Sequence, residues 1–122
     1  MDGTRVRAAR GAVPVERDDP EEILGATRSL LEEMVRGNSI SPADIVSIFF
    51  TATPDLRSAF PAEAARRMGM RTAPLLCASE IAVQGAMRGV VRILLHFHTD
   101  RSPEDVVHVY VGRTRELRDD LD

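Results

Sequence analysis

The chain has 122 residues, 43% of them hydrophobic and 29% charged, with a formal net charge of −3. That length supports one domain, residues 1–122, able to bury roughly two thirds of its unfolded surface, and the negative balance argues against a nucleic-acid or anionic-membrane partner. No apolar run approaches the about 20 residues that span a bilayer; the single Cys77 excludes an intrachain disulfide, and the start MDGTRVRAARGA lacks a signal peptide's apolar stretch, so a cytoplasmic location is expected.

Residues 4–15 read as a strand with Arg5 and Arg7 on one face and Val6, Ala8 and Arg10 on the other, which places Arg10 on the apolar face. Asp19, Pro20 and Glu22 form a helix start, with a capping carboxylate, proline at the first position and an acid at the third. The helix is predicted to run to about Arg36 on a stripe of Ile23, Thr27, Leu30, Leu31 and Met34, with Gly37 placed to end it. Ser41 and Pro42 predict one helical turn, and residues 45–53, IVSIFFTAT, predict a buried strand that Pro54 stops. Pro61 opens a short helix that turns Ala64, Ala65 and Met68 inward, with Arg66 and Arg67 beside them and Gly69 closing it. Residues 72–77 follow as a strand, 84–89 as a helical turn, 90–98 as a long strand and 102–105 as a capped turn. In residues 107–111 the valines alternate with His108 and Tyr110, so Tyr110 points away from the valine face. The order β-α-β-α-β-β-β implies an α+β fold: a small mixed sheet covered on one face by the long helix. Its other face and edges need cover that subunit contacts would supply, so an oligomer is expected.

Four polar residues interrupt these apolar segments: Arg10, Glu80, Arg92 and Tyr110, with residues 52–67, ATPDLRSAFPAEAARR, between them. A buried guanidinium is costly unless paired, so an inward arginine implies an anionic partner, and the set suggests a site for a small dianion. All sixteen basic residues are arginine, a choice that fits GC-rich coding as well as bidentate gripping of carboxylates. Each residue also has a structural reading. Arg10 can snorkel at a sheet edge, Arg92 in VVRILL can pair with an internal carboxylate such as Glu80, and Tyr110 can be a core tyrosine. Cys77 lacks a His or Asp at informative spacing and reads as a small hydrophobe rather than a nucleophile. His96 and His98 share a strand face, but nothing nearby completes a tetrahedral set, so no metal is predicted. Without a phosphate loop, a Ser-His-Asp set or a clear acid/base pair, the chemistry should need neither nucleophile nor cofactor.

The segments RAARGAVPVERD, TATPDLRSAFPAEAARR, PLLCASEI, VVRILLHFHTD, HVYV and LRDDL resemble the AroH-class monofunctional chorismate mutases in order and spacing, over nearly the whole chain. The resemblance implies a homotrimer built as a pseudo-α/β-barrel, with active sites at subunit interfaces. It implies the rearrangement of chorismate to prephenate in aromatic amino-acid synthesis, a pericyclic reaction needing only conformer selection and charge stabilisation. Carried over by motif, Arg10 and Tyr110 would hold a substrate carboxylate, and Arg92 would meet the ether oxygen as negative charge develops there. Glu80 would accept a hydrogen bond from the ring hydroxyl and orient Arg92, and Leu76, Cys77, Ala78 and Ser79 would line the pocket, Cys77 as a wall. Phe60, Ala62 and Arg66 would come from the neighbouring subunit, with Arg66 and the Leu117–Arg118 part of a short C-terminal tail, from about residue 113, closing over the substrate. Relatives can carry Lys where this chain has Glu63, which should point outward or pair with Arg66 or Arg67.

Two other classes remain open to the sequence. In a trimeric imine-deaminase-like enzyme Glu80 would act as a base on water, giving a pH-dependent rate; a non-catalytic sensor of a small carboxylic acid would bind without turnover.

Overall fold

Two ten-residue strands paired along their whole length form the centre of the computed structural model, which describes residues 4–118. β1 (Arg5–Pro14) runs antiparallel to the late strand Val90–Thr99, from Arg5 opposite Thr99 to Pro14 opposite Val90. Between them in sequence come α1 (Pro20–Gly37), β2 (Ile45–Ala52), α2 (Ala62–Arg67) and β3 (Leu75–Ser79). Val90–Thr99 is therefore β4, and β5 is the short Val109–Tyr110. The sheet order is β3-β2-β4-β1-β5, mixed because β3 and β5 join their neighbours in parallel while β2 and β1 flank β4 antiparallel. This is the α+β order the sequence predicts.

α1 begins as predicted: the Asp19 carboxylate accepts from the Glu22 amide and Pro20 fills the first position. Its buried stripe, Ile23, Leu24, Thr27, Leu30, Leu31 and Met34, covers one sheet face, where Ile48, Phe50, Val91, Ile93, Leu95 and Phe97 complete the core. Gly37 is the last helical residue, but Ser39 takes the left-handed turn, at φ 53°. Asn38 instead closes the end: buried, it donates to the Met34 carbonyl and exchanges bonds with both main-chain groups of Val107. That ties the helix end to the segment leading into β5.

The helix selects the opposite face of β1 from the one expected. Ala9, Gly11 and Val13 are buried, and a Cβ on Gly11 would lie 2.5 Å from Met34 Sδ, so any larger residue there would force the Met34 and Leu30 side chains to shift. Val6, Ala8 and Arg10 lie on the open face, and Arg10 is exposed rather than inward. With small residues on both faces of β1, alternation alone does not decide which one the helix takes. Two further expectations are corrected. β3 starts at Leu75, not residue 72, because Pro74 has no N–H to give a ladder; its carbonyl accepts from Ile48 instead. Residues 84–89 form no helix: Gly85 and Gly89 have φ of 84° and 66°, outside the right-handed region.

Of the tail expected from about residue 113, Gly112–Leu117 coils into a 3-10 helix, anchored where the buried Thr114 hydroxyl meets the Ala12 and Val111 carbonyls. Residues 119–122, with LRDDL's last three positions, lie outside the described residues.

Candidate active site

The register sets the site. Across the open face Ala12, Arg92 and Thr51 form one transverse row on β1, β4 and β2, and Arg10, Leu94 and Phe49 form the next. Arg10 and Arg92 thus share a face on adjacent strands. β5 joins the edge of β1 with Tyr110 opposite Ala12, which brings Tyr110 to the same end. These residues line a cleft of about 300 Å³ together with Phe49, Thr51, Leu94 and Leu117. Arg10, Arg92, Tyr110 and Leu117, spread over more than a hundred residues of sequence, all line it.

Glu80 arrives from the other side. It follows β3 directly and extends the parallel ladder, its amide donating to the Ala52 carbonyl at 2.9 Å. Its Oε2 lies 3.0 Å from Arg92 Nε and accepts the Thr51 hydroxyl at 2.6 Å. The Glu80 side chain is 18% exposed and that of Arg92 41%, so both charges reach the surface at one end while meeting under cover at the other. At 3.0 Å the two are an ion pair, but the contact is oblique: buried Nε–H makes no aligned hydrogen bond. The pair floors a larger cleft, about 640 Å³, walled by residues 81–88 and Arg57.

Asp55 borders that cleft. Burial opposes its ionisation, but the Thr53 hydroxyl, main-chain amides including Gly89's and the Arg88 charge outweigh burial and hold its carboxyl below the ordinary value. Asp18 is also held low, first by the Arg57 amide, then by the Ser58 side chain. The main-chain amides of Arg57 and Ser58 both donate to Asp18 Oδ1, which pins the loop leading to Phe60.

Phe60, Cys77, Ala78 and Ser79 line a separate cleft of about 310 Å³ by β3. Phe60 is 73% exposed and Leu76 also faces outward. Ala62 is buried, its amide donating to Cys77 Sγ at 3.3 Å, so Cys77 braces α2. Arg66 is engaged by Glu63 at 3.1 Å, and Glu63 also reaches Arg67 at 3.6 Å, the pairing expected of that residue. Within one chain, then, Phe60, Ala62 and Arg66 line neither the Arg10–Arg92 cleft nor the 640 Å³ one. At the other end the Arg118 guanidinium lies over the Tyr110 ring, 5.0 Å from its centroid, and both border a cleft of about 460 Å³. His96 bonds Ser47 and meets the Phe49 ring edge-on, and His98 is exposed.

Two contributors escape sequence reasoning. Thr51 is visible only once the β2–β4 register places it beside Arg92. His108 accepts the Arg10 amide on Nδ1 at 3.0 Å, extending the β1–β5 ladder with a side chain; the HVY motif holds the residue but not that contact.

The family model described as "Chorismate mutase type I" matches residues 6–121. The chain belongs to the type I chorismate mutase family. Within it, the curated chorismate mutase AroH of Thermus thermophilus is 48% identical over 118 residues, 96% of this chain and 97% of that one. That of Bacillus subtilis is 39% identical over 95% of this chain and 92% of its own. A solved chorismate mutase from Clostridium thermocellum superimposes with a TM-score of 0.88 at 41% identity, covering 90% of this chain and 98% of the other. The mixed five-stranded sheet with its long helix is therefore the type I chorismate mutase fold, the fold the sequence motifs imply.

Proposed function

We propose that the protein is a chorismate mutase that rearranges chorismate to prephenate in aromatic amino-acid synthesis, through Arg92 held by Glu80 beside Arg10 and Tyr110. The observation that carries this reading is the ion pair, 3.0 Å long, set where a cleft with two more substrate-facing groups begins. The reaction breaks a carbon–oxygen bond as a carbon–carbon bond forms, within one molecule. It calls for no nucleophile, proton transfer or cofactor, only a compact conformer and stabilisation of the charge that separates.

Each role follows from chemistry. A guanidinium against the ether oxygen stabilises the negative charge that grows there, and the Arg92 side chain, 41% exposed with its Nε held at 3.0 Å by Glu80, can supply one. Glu80, an acceptor when ionised, takes the ring hydroxyl's proton side and keeps Arg92 from swinging away. Arg10 and Tyr110 bind a carboxylate and thereby select the folded-over conformer. Outward-facing Leu76, and Cys77, Ala78 and Ser79 of the separate 310 Å³ cleft, complete the wall once subunits assemble. Positioning plus electrostatics of this kind supplies about a millionfold acceleration, roughly 8 kcal/mol.

The active form is a homotrimer of single-domain chains, with Phe60, Ala62 and Arg66 of one subunit completing a neighbour's site and Leu117 and Arg118 closing it. Support comes from the open sheet face, which carries Val6 and Phe49, and from exposed Phe60, Leu76 and Ile81, surfaces that subunit contact would cover. No described helix is long and apolar enough to cross a membrane, and Cys77 is free; a cytoplasmic enzyme acting on a small dianion, without nucleic-acid or membrane partners, fits both. Consumption of chorismate by the purified protein tests the reading, and a folded protein that leaves chorismate untouched contradicts it.

A further inference from the structure

We propose that Thr51 is a positioning residue for this reaction: its hydroxyl clamps Glu80 Oε2 against Arg92 and leaves Oε1 to receive the substrate's ring hydroxyl. The inference rests on the chorismate reading above and gives a role to a residue that opens the TATPDLRSAFPAEAARR motif but to which the resemblance assigns none.

Thr51 stands between the two charges. On β2 it is opposite Arg92 of β4 on one side and Ala78 of β3 on the other, two residues before Glu80. Its hydroxyl lies 2.6 Å from Glu80 Oε2, and an ionised carboxylate only accepts, so Thr51 donates. Arg92 Nε approaches the same oxygen at 3.0 Å. One oxygen thus takes both contacts, which fixes the plane of the carboxylate.

Thr51 differs from the other threonines in what its hydroxyl serves. The buried hydroxyls of Thr27 and Thr114 bond to main-chain carbonyls, and that of Thr53 accepts the Val90 amide and meets the Asp55 carboxyl, away from the Glu80–Arg92 pair. Thr51 is half-buried at the cleft, and its hydroxyl serves an ionised side chain. Threonine fits this role, because a β-branched side chain on a strand has restricted χ1 and its donor is aimed before substrate arrives. Glu80 has several free torsions and would otherwise have to be ordered on binding.

The test is a double-mutant cycle read by chorismate turnover, with Thr51→Val and Thr51→Ser each made in the wild type and in Glu80→Ala. A hydrogen bond to a charged group corresponds to roughly a tenfold or larger loss, so Thr51→Val should lower kcat/KM at least about tenfold. Thr51→Ser, which restores the donor, should recover most of it. In the Glu80→Ala background Thr51→Val should change kcat/KM by less than about twofold, because the group it positions is gone. An equal loss in both backgrounds would show a merely structural role and overturn the proposal, as would a serine variant no better than valine or a valine variant like the wild type. If the valine variant fails to fold by circular dichroism, Thr51→Ala enters the same cycle. Wild-type turnover is the control: without it the chorismate reading falls and this inference with it, and with it the cycle judges Thr51 alone.

Discussion

Glu80 Oε2 sits 3.0 Å from Arg92 Nε, joining the end of one edge strand to the central strand β4. A charge-assisted contact of this kind holds a guanidinium in place before substrate arrives, and preorganisation of that sort is what electrostatic catalysis requires.

Removing the guanidinium should therefore act on turnover rather than on binding. Arg92→Ala is expected to lower kcat by about 3 to 4 kcal/mol, several hundredfold, with a much smaller change in KM. Steady-state kinetics measures both, and equal losses in kcat and in affinity would refute the assigned role.

Cys77 offers the opposite outcome. Its sulfur accepts the Ala62 amide at 3.3 Å, a contact that a serine oxygen can also make. Cys77→Ser should keep most activity, within roughly threefold; abolition would revive nucleophilic catalysis.

The pH dependence of rate and of stability should differ. A rearrangement without proton transfer gives a kcat that is flat from about pH 6 to 9, whereas hydrolysis by a carboxylate-activated water does not. Stability is another matter, because Asp55 is held below its ordinary value by hydrogen bonds and the Arg88 charge. A depressed folded value means that its stabilisation is complete above the unfolded value of about 3.9 and is lost as pH falls through the lower folded one. Asp55→Asn should remove that acid-dependent part, measured as melting temperature against pH below about 4. An unchanged profile would show that Asp55 is not held low.

Gly89 tests the frame of the larger cleft. Its φ is 66°, and an added Cβ would lie 2.6 Å from the Val15 carbonyl oxygen, which is backbone and cannot swing aside. Gly89→Ala should destabilise by at least about 2 kcal/mol, lowering the melting temperature by roughly 6 °C or more. No change on thermal unfolding would contradict this backbone geometry.

Much of this fold is readable in the residues themselves. Asp19-Pro20, Pro61 and the alternation of β4 are local signals, and so is the placement of Arg92 among apolar neighbours. The family motifs name Arg10, Glu80 and Tyr110, and the fold brings Arg10 and Tyr110 to the Arg92 cleft and Glu80 to Arg92 itself. What escapes depends on contacts between distant strands. Which face of β1 meets α1 is not readable from its alternation, and in the fold Ala9, Gly11 and Val13 take the helix, with Met34 close over Gly11. Thr51 gains its partner through register, and His108 bonds Arg10 across 98 positions of sequence. The turn at residues 84–89 lacks a helix because glycines with positive φ break it, which composition alone does not reveal.

The most direct measurement is the ultraviolet absorbance of chorismate after addition of the purified protein, in the presence of a chelator and without any cofactor. The absorbance should fall in a protein-dependent way, and acid treatment should convert the product to phenylpyruvate, as prephenate requires. Persistence of chorismate with a folded protein, or a product other than prephenate, would contradict the chorismate mutase reading.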